Sequence, residues 1–176
     1  MESIPETFRL HIGGEEVKPG WKILNIQSRE GVDYVGDIQD LSRFPDASCD
    51  EIYASHVLEH VPLFRVLPTL QGFHRILKRT GRAMISVPDL ELLCQLFTSS
   101  DLDKHARYHV MKMIYGAQVD PSDFHHIGFS LEFLTEFLSA AGFSRVEPVE
   151  TFGLFNDGSD FAPYGGPISL NVIAYK

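Results

Sequence analysis

Three short stretches of this chain gather residue types that can hold or transform a small molecule. Gly13-Gly14 closes the apolar run Phe8 to Ile12. Glycines at the end of a strand let the backbone approach a ligand that a Cβ would repel, and they also make ordinary turns. Asp37 and Ile38 end the segment from Asp33. A carboxylate at a strand's C-terminal edge can accept hydrogen bonds from an amine or a hydroxyl, or cap a turn. His125-His126 stands shortly before Ser130. Imidazole titrates near neutral pH, so either ring can act as a general base, or be a loop histidine bonded to backbone.

A fourth stretch, His56-Val57-Leu58-Glu59-His60, matches the H-x-x-E-H pattern of inverted zinc peptidases. That chemistry needs both histidines on one helix face with the glutamate beside them. Here the pattern sits at a strand end, and Pro62 limits any helix to about one turn. No metal site is therefore expected. His105 and His109, also four apart, read as a solvated helix face. No Ser-His-Asp or Cys-His arrangement stands out, and no phosphate-cradling GxxxxGK[ST] is present.

The elements that must position these residues alternate between short β-prone runs and amphipathic helices. Phe8 to Ile12, Ile23 to Gln27, Tyr34 to Ile38, Asp50 to Ser55, Ala83 to Val87, Val146 to Phe152 and Ser169 to Tyr175 read as strands bounded by Gly, Asp or Ser. Leu63, Leu67, Leu70 and Leu77 form the stripe of a core-facing helix. Pro68 should kink or break it, and Gly81 should end it as a left-handed cap. Pro88-Asp89 opens a helical stretch through Phe97. Ser130 caps another helix, carrying Leu131, Leu134, Leu138 and Ala141 and closed by Gly142. This order argues a mostly parallel α/β sheet with helices on both faces. The last two strands leave no room for a helix between them, so that pair should be antiparallel. The stretch between the first two strands is too short and broken for a full crossover helix.

Composition sets the outer bounds. With 176 residues, 44% hydrophobic and 22% charged, the chain can bury one core without metal or disulfide staples. A single domain over 1–176 is expected. A net charge of −9 and the absence of a basic patch argue against a nucleic-acid partner. Cys49 and Cys94 share no motif spacing, which fits inert thiols in a reducing compartment. No apolar run approaches the length of a membrane span, so the expected location is cytoplasmic.

Taken in order and spacing, these pieces resemble the small type 11 group of class I S-adenosylmethionine-dependent methyltransferases. Leu10-His11-Ile12-Gly13-Gly14 looks like that family's first glycine motif, and Val32 to Ile38 like its adenine-contacting segment. Phe44 to Asp50 followed by Ser55-His56-Val57-Leu58-Glu59-His60 is similar to its most diagnostic stretch. Gly81 to Pro88 and Phe129 to Phe143 resemble its later strand and helix.

The resemblance implies a Rossmann-like three-layer sandwich with a mostly parallel sheet, an antiparallel last strand, and a reduced or missing first crossover helix. It implies S-adenosylmethionine as cofactor and S-adenosylhomocysteine as product, held by Gly13, Gly14, Gln27, Asp37, Ile38, Ser55 and His56. His125 or His126 would serve the acceptor. The aromatic, acidic segments 99–128 and 153–167 fit a small-molecule or glycan-like acceptor. Two residues depart from the pattern. Glu15 stands where the family usually has a second motif glycine, and its charge would face the cofactor's carboxylate. Gln27 matches the position of an acid that holds both ribose hydroxyls, a loss of ~1–2 kcal/mol of charge-assisted bonding. These departures motivate a rival expectation, a methyltransferase fold kept as a binding or scaffold protein without turnover.

Overall fold

The computed structural model describes residues 7–176. Seven strands form one sheet in the order β3-β2-β1-β4-β5-β7-β6. They are β1 (Arg9–Ile12), β2 (Trp21–Asn25), β3 (Tyr34–Val35), β4 (Cys49–Ser55), β5 (Leu77–Pro88), β6 (Arg145–Val149) and β7 (Ser169–Tyr175). β1 to β5 run parallel, while β7 lies antiparallel to both β5 and β6. The chain leaves β1 for β2 and β3 on one side, then returns to place β4 on the other. The switch point of the sheet therefore falls between β1 and β4.

Among the described residues four α-helices accompany the sheet: α1 (Leu63–Ile76), α2 (Leu90–Thr98), α3 (Lys104–Tyr115) and α4 (Leu131–Ala141). Leu10, Ile12, Ile52, Ala54, Ile85 and Val172 point to one face and form the main core with Val66, Leu70 and Phe73 of α1 and Leu134 and Leu138 of α4. Residues one position out of phase, Trp21, Tyr53 and Met84, point to the other face, as the twofold strand repeat dictates. There the cover near β4 is the segment after β6, through Phe152, Leu154 and Phe155. Residues 13–20 and 26–33 separate β1, β2 and β3, and neither link holds a helix. Such short links cannot make a helical crossover. α2 and α3 pack on each other through Leu93, Val110 and Ile168.

Three local expectations are corrected. α1 runs unbroken through Pro68. The donor lost there would have met the carbonyl of Phe64, a residue on an exposed turn where water can replace it. Gly81 does not cap α1, which ends at Ile76 with Leu77 already extended. It lies inside β5, beside the register shift between Cys49 and Glu51. A Cβ there would come within 3.0 Å of the Asp50 and Lys78 carbonyls, so close backbone approach accounts for the glycine. β2 begins and ends two residues earlier than the apolar run implied, at Trp21 and Asn25. The cap positions of the later helices are as expected. Asp89 accepts from the amides of Glu91 and Leu92, Ser130 accepts from Phe133, and Gly142 takes the left-handed conformation.

Candidate active site

Two hollows meet at the C-terminal ends of β1, β2 and β4. The first, about 200 Å³, is lined by Ile12, Leu24, Asn25, Ile26, Asp37, Ile38, His56, Val57 and His60 among others. The second, about 290 Å³, is lined by His11, Gly14, Glu16, Ser55, Phe155 and Asp157 among others. Gly13 and Glu15 belong to both. A larger depression of about 590 Å³ lies around Arg9, Trp21 and Lys22, at the opposite ends of the same strands. Size does not select it, because open α/β sheets present ligand crevices beyond the carboxyl ends of their strands.

The glycine turn is built by its neighbours. Gly13 has φ +75°, and a Cβ there would stand 2.1 Å from Val57 Cγ1. A Cβ on Gly14 would stand 2.3 Å from His11 Nδ1. The turn is thus clamped between Val57 and the His11 ring, which is itself packed on Tyr53 and Phe155. Asn25 completes the clamp, its amide donating to the carbonyls of Gly13 at 3.2 Å and Gly14 at 3.0 Å.

Most of the residues singled out in the sequence converge on these hollows. Gly13, Asp37, Ile38 and His56 line the first, and Gly13, Gly14 and Ser55 line the second. Asp37 accepts from the backbone and side-chain nitrogens of Gln39, at 2.8 and 3.2 Å. Gln27 does not end β2. It lies two residues beyond the end of β2, lines neither hollow, and its side-chain oxygen accepts from Arg29 at 2.6 Å. Asn25 occupies the strand end, and its oxygen accepts from the Gln27 amide at 2.9 Å. Glu15 forms an ion pair with Arg29, so its charge at the cleft is matched by a cation.

His56 adopts φ +53° at the end of β4. Its Nε2 shares a hydrogen with Ser169 Oγ at 2.8 Å, and its Nδ1 lies 3.4 Å from Glu59 Oε1. Burial works against charge on His56, but the Glu59 carboxylate outweighs it and raises the imidazole pKa. Burial alone would raise the Glu59 pKa; the neighbouring His56 and His60 outweigh it and hold the group ionised below its ordinary range. Leu58–His60 makes one turn of 3₁₀ helix, so the peptidase arrangement, with two histidines on a shared helix face, does not form. His125 stacks edge-on against His60 at 4.8 Å. Burial lowers its pKa against the pull of Glu59. His126 is exposed and is held by its backbone, whose N–H donates to the Glu59 carbonyl at 2.8 Å. His105 and His109 lie on α3 away from the cleft, His109 bonding Tyr164 at 3.0 Å.

Sequence reasoning missed Asn25, Arg29 and the placement of Glu59 and His60. An asparagine ending a β-run next to a glycine turn is a readable signal; the Glu15–Arg29 pair, 14 positions apart, leaves none.

This geometry has clear counterparts. Residues 17–85 match the family model described as methyltransferase domain. No curated protein matches the sequence. An S-adenosylmethionine-dependent methyltransferase of Archaeoglobus fulgidus has 19% identity and a TM-score of 0.61, covering 97% of this chain and 86% of its own. A possible histamine N-methyltransferase of Thermotoga maritima gives 21% and 0.63, covering 98% and 83%. The 1,6-didemethyltoxoflavin-N1-methyltransferase of Burkholderia thailandensis, solved with its substrate and S-adenosylhomocysteine, gives 17% and 0.58, covering 96% and 70%. The fold is that of the class I S-adenosylmethionine-dependent methyltransferases, and the match to the methyltransferase family model spans residues 17–85 of the chain.

Proposed function

We propose that this protein transfers a methyl group from S-adenosylmethionine to a small-molecule or glycan-like acceptor, acting as one domain over 1–176. The observation that carries the reading is the pair of hollows joined at Gly13, at the switch point of the sheet. Ile26, Ile38 and Val57 offer apolar faces to an adenine ring, and Asp37 offers a carboxylate to its amino group or to a ribose hydroxyl. Gly13, Gly14, Ser55 and His56 border the passage between the hollows, where the methionine end would lie. Gln27 would reach the ribose only by leaving Arg29.

Methyl transfer is an in-line displacement from a sulfonium, itself a good leaving group. The protein must chiefly align acceptor oxygen or nitrogen, methyl carbon and sulfur. An acceptor that carries a proton needs somewhere to put it; His125, whose ring stacks on the hollow-lining His60, or its neighbour His126 would take it, although neither lines a hollow itself. An acidic chain of net charge −9 disfavours a nucleic-acid acceptor.

A second reading, a binding or scaffold protein without turnover, is favoured by one observation. Asn25 at the end of β2 spends its amide on the glycine turn, so no carboxylate at that strand end faces the ribose. Calorimetric titration with S-adenosylhomocysteine separates the two. Micromolar binding that is lost in Asp37→Ala is the expected result. No heat and no thermal shift at millimolar ligand would end the methyltransferase reading.

A further inference from the structure

Glu59 is 1% exposed, and neither of its carboxylate oxygens has a hydrogen-bond donor among the described residues. Its nearest basic group is His56 Nδ1, 3.4 Å from Oε1 and too poorly aligned for a hydrogen bond; a carboxylate so buried and so thinly partnered would be stabilised further by a cation. Beside it, His60 and His125 present ring nitrogens such that one ligand atom from each of the three residues lies within 4.8 Å of the others.

One imidazole is already anchored. His60 Nδ1 lies 3.1 Å from the Phe124 carbonyl, and with the proton on Nδ1 the Nε2 lone pair is free. Histidines that bind metals are typically oriented in this way, by a carbonyl or carboxylate on the other nitrogen. Two backbone bonds hold the segments together: His126 N–H to the Glu59 carbonyl at 2.8 Å and His125 N–H to the Tyr115 carbonyl at 3.1 Å.

We propose that Glu59, His60 and His125 form a binding site for a first-row divalent cation of the zinc type. Two imidazoles and one carboxylate suit Zn²⁺ or Co²⁺, whereas Ca²⁺ and Mg²⁺ prefer oxygen ligands. Ligand atoms around tetrahedral Zn²⁺ stand about 3.3 Å apart, so small side-chain rotations close the set. A fourth position open to the cleft would be within reach of a substrate, because the ligand His60 lines the first hollow. The site rests on these residues alone; its role rests on the methyl-transfer reading. In that role the cation would acidify an acceptor hydroxyl, whose proton leaves to solvent. The oxygen then bonds the methyl carbon as the carbon–sulfur bond breaks, and that electron pair stays on sulfur. The sequence pattern His56-x-x-Glu59-His60 would thus contribute ligands after all, with His125 from a distant loop and not His56 as the third.

The test is titration of chelator-treated protein with Zn²⁺ by calorimetry and with Co²⁺ by visible absorption, without cofactor. One ion per chain, with the intense absorption of four-coordinate Co²⁺, is expected. His125→Ala and Glu59→Gln should abolish it, and His109→Ala should not. Circular dichroism of each variant shows whether it is folded. His125→Ala, on a surface loop, serves if Glu59→Gln does not fold. Absence of binding below millimolar Zn²⁺, or unchanged binding in His125→Ala, overturns the site. S-adenosylhomocysteine titrated separately keeps the failures apart: cofactor without cation removes this proposal alone, and cation without cofactor removes only its role.

Discussion

The side-chain amide of Asn25, at the end of β2, lies 3.0 Å from the carbonyl of Gly14, in the turn that follows β1. The same nitrogen reaches the Gly13 carbonyl at 3.2 Å, so one buried donor fixes the backbone that borders both hollows. Asn25→Ala leaves those carbonyls without it. The expected cost is about 2 kcal/mol, seen as a fall of about 4–8 °C in Tm. Affinity for S-adenosylhomocysteine should fall with it. A variant melting with the parent would show that the turn holds its shape unaided.

Gly13 is constrained twice, by φ +75° and by Val57 Cγ1, 2.1 Å from where a Cβ would stand. Gly13→Ala should therefore destabilise by about 1–3 kcal/mol, combining left-handed strain with overpacking. Val57→Ala removes the overpacking but not the strain. The double variant should be more stable than the sum of the single effects, measured by denaturant unfolding. Strict additivity would assign the whole effect to the backbone.

How much of this site is legible in the sequence depends on how far apart its parts lie. Gly13-Gly14 after a β-run and Asp37 at a strand edge are local signals, and both fall at the cleft. The antiparallel β7 is as expected, because the Gly-, Asp- and Pro-rich residues 150–168 form no crossover helix. Gln27 reads as the end of the second strand because Ile23 to Gln27 forms one β-prone run in the sequence. Only the pairing of Trp21 to Asn25 with Arg9 to Ile12 and with Tyr34 and Val35 shows that the strand stops at Asn25. His125 and His126 are equivalent on paper. A bond from the His126 backbone to Glu59 turns one ring toward His60 and leaves the other exposed. Contacts made across 60 or more positions, as between Glu59 and His125, have no local signature.

His11 gives the fold a pH dependence. It is 4% exposed, packed among Tyr53 and Phe155, and burial pushes its pKa down to about 4, against the weaker pull of Asp157 and Glu16. In the unfolded chain it titrates near 6.5. Between these values the unfolded state binds more protons, so stability is complete above 6.5 and falls as pH drops toward 4, by about 3 kcal/mol in all. Replacing the ring by His11→Leu should flatten that part of the stability curve from pH 7 to 4. A variant with the parent's slope would place the titration elsewhere.

Asp157 clasps the segment that covers the second face. It accepts from Tyr53 Oη at 2.9 Å, Ser55 Oγ at 3.1 Å and the Ser159 amide at 2.9 Å. Burial raises the pKa of the Tyr53 hydroxyl, which keeps it a donor at any physiological pH. The same segment is tied to the first loop by the Asn156 amide on Glu16, at 2.9 Å, and by Lys18 on the Leu154 carbonyl. Asp157→Ala removes three of these bonds at once, yet Phe155 keeps its packing on His11, Trp21 and Tyr53. The physical expectation is local opening and not global unfolding, because apolar burial by Phe155 survives while the polar anchors do not. Amide hydrogen exchange should quicken over residues 150–161, with β1, β4 and β5 protected as before. Because Asp157 and Phe155 also line the second hollow, S-adenosylhomocysteine should slow that exchange in the parent protein and do so less in the variant. Exchange that is fast in both would mean the segment is held by Phe155 alone and that the polar clasp contributes nothing to the shape of the cleft.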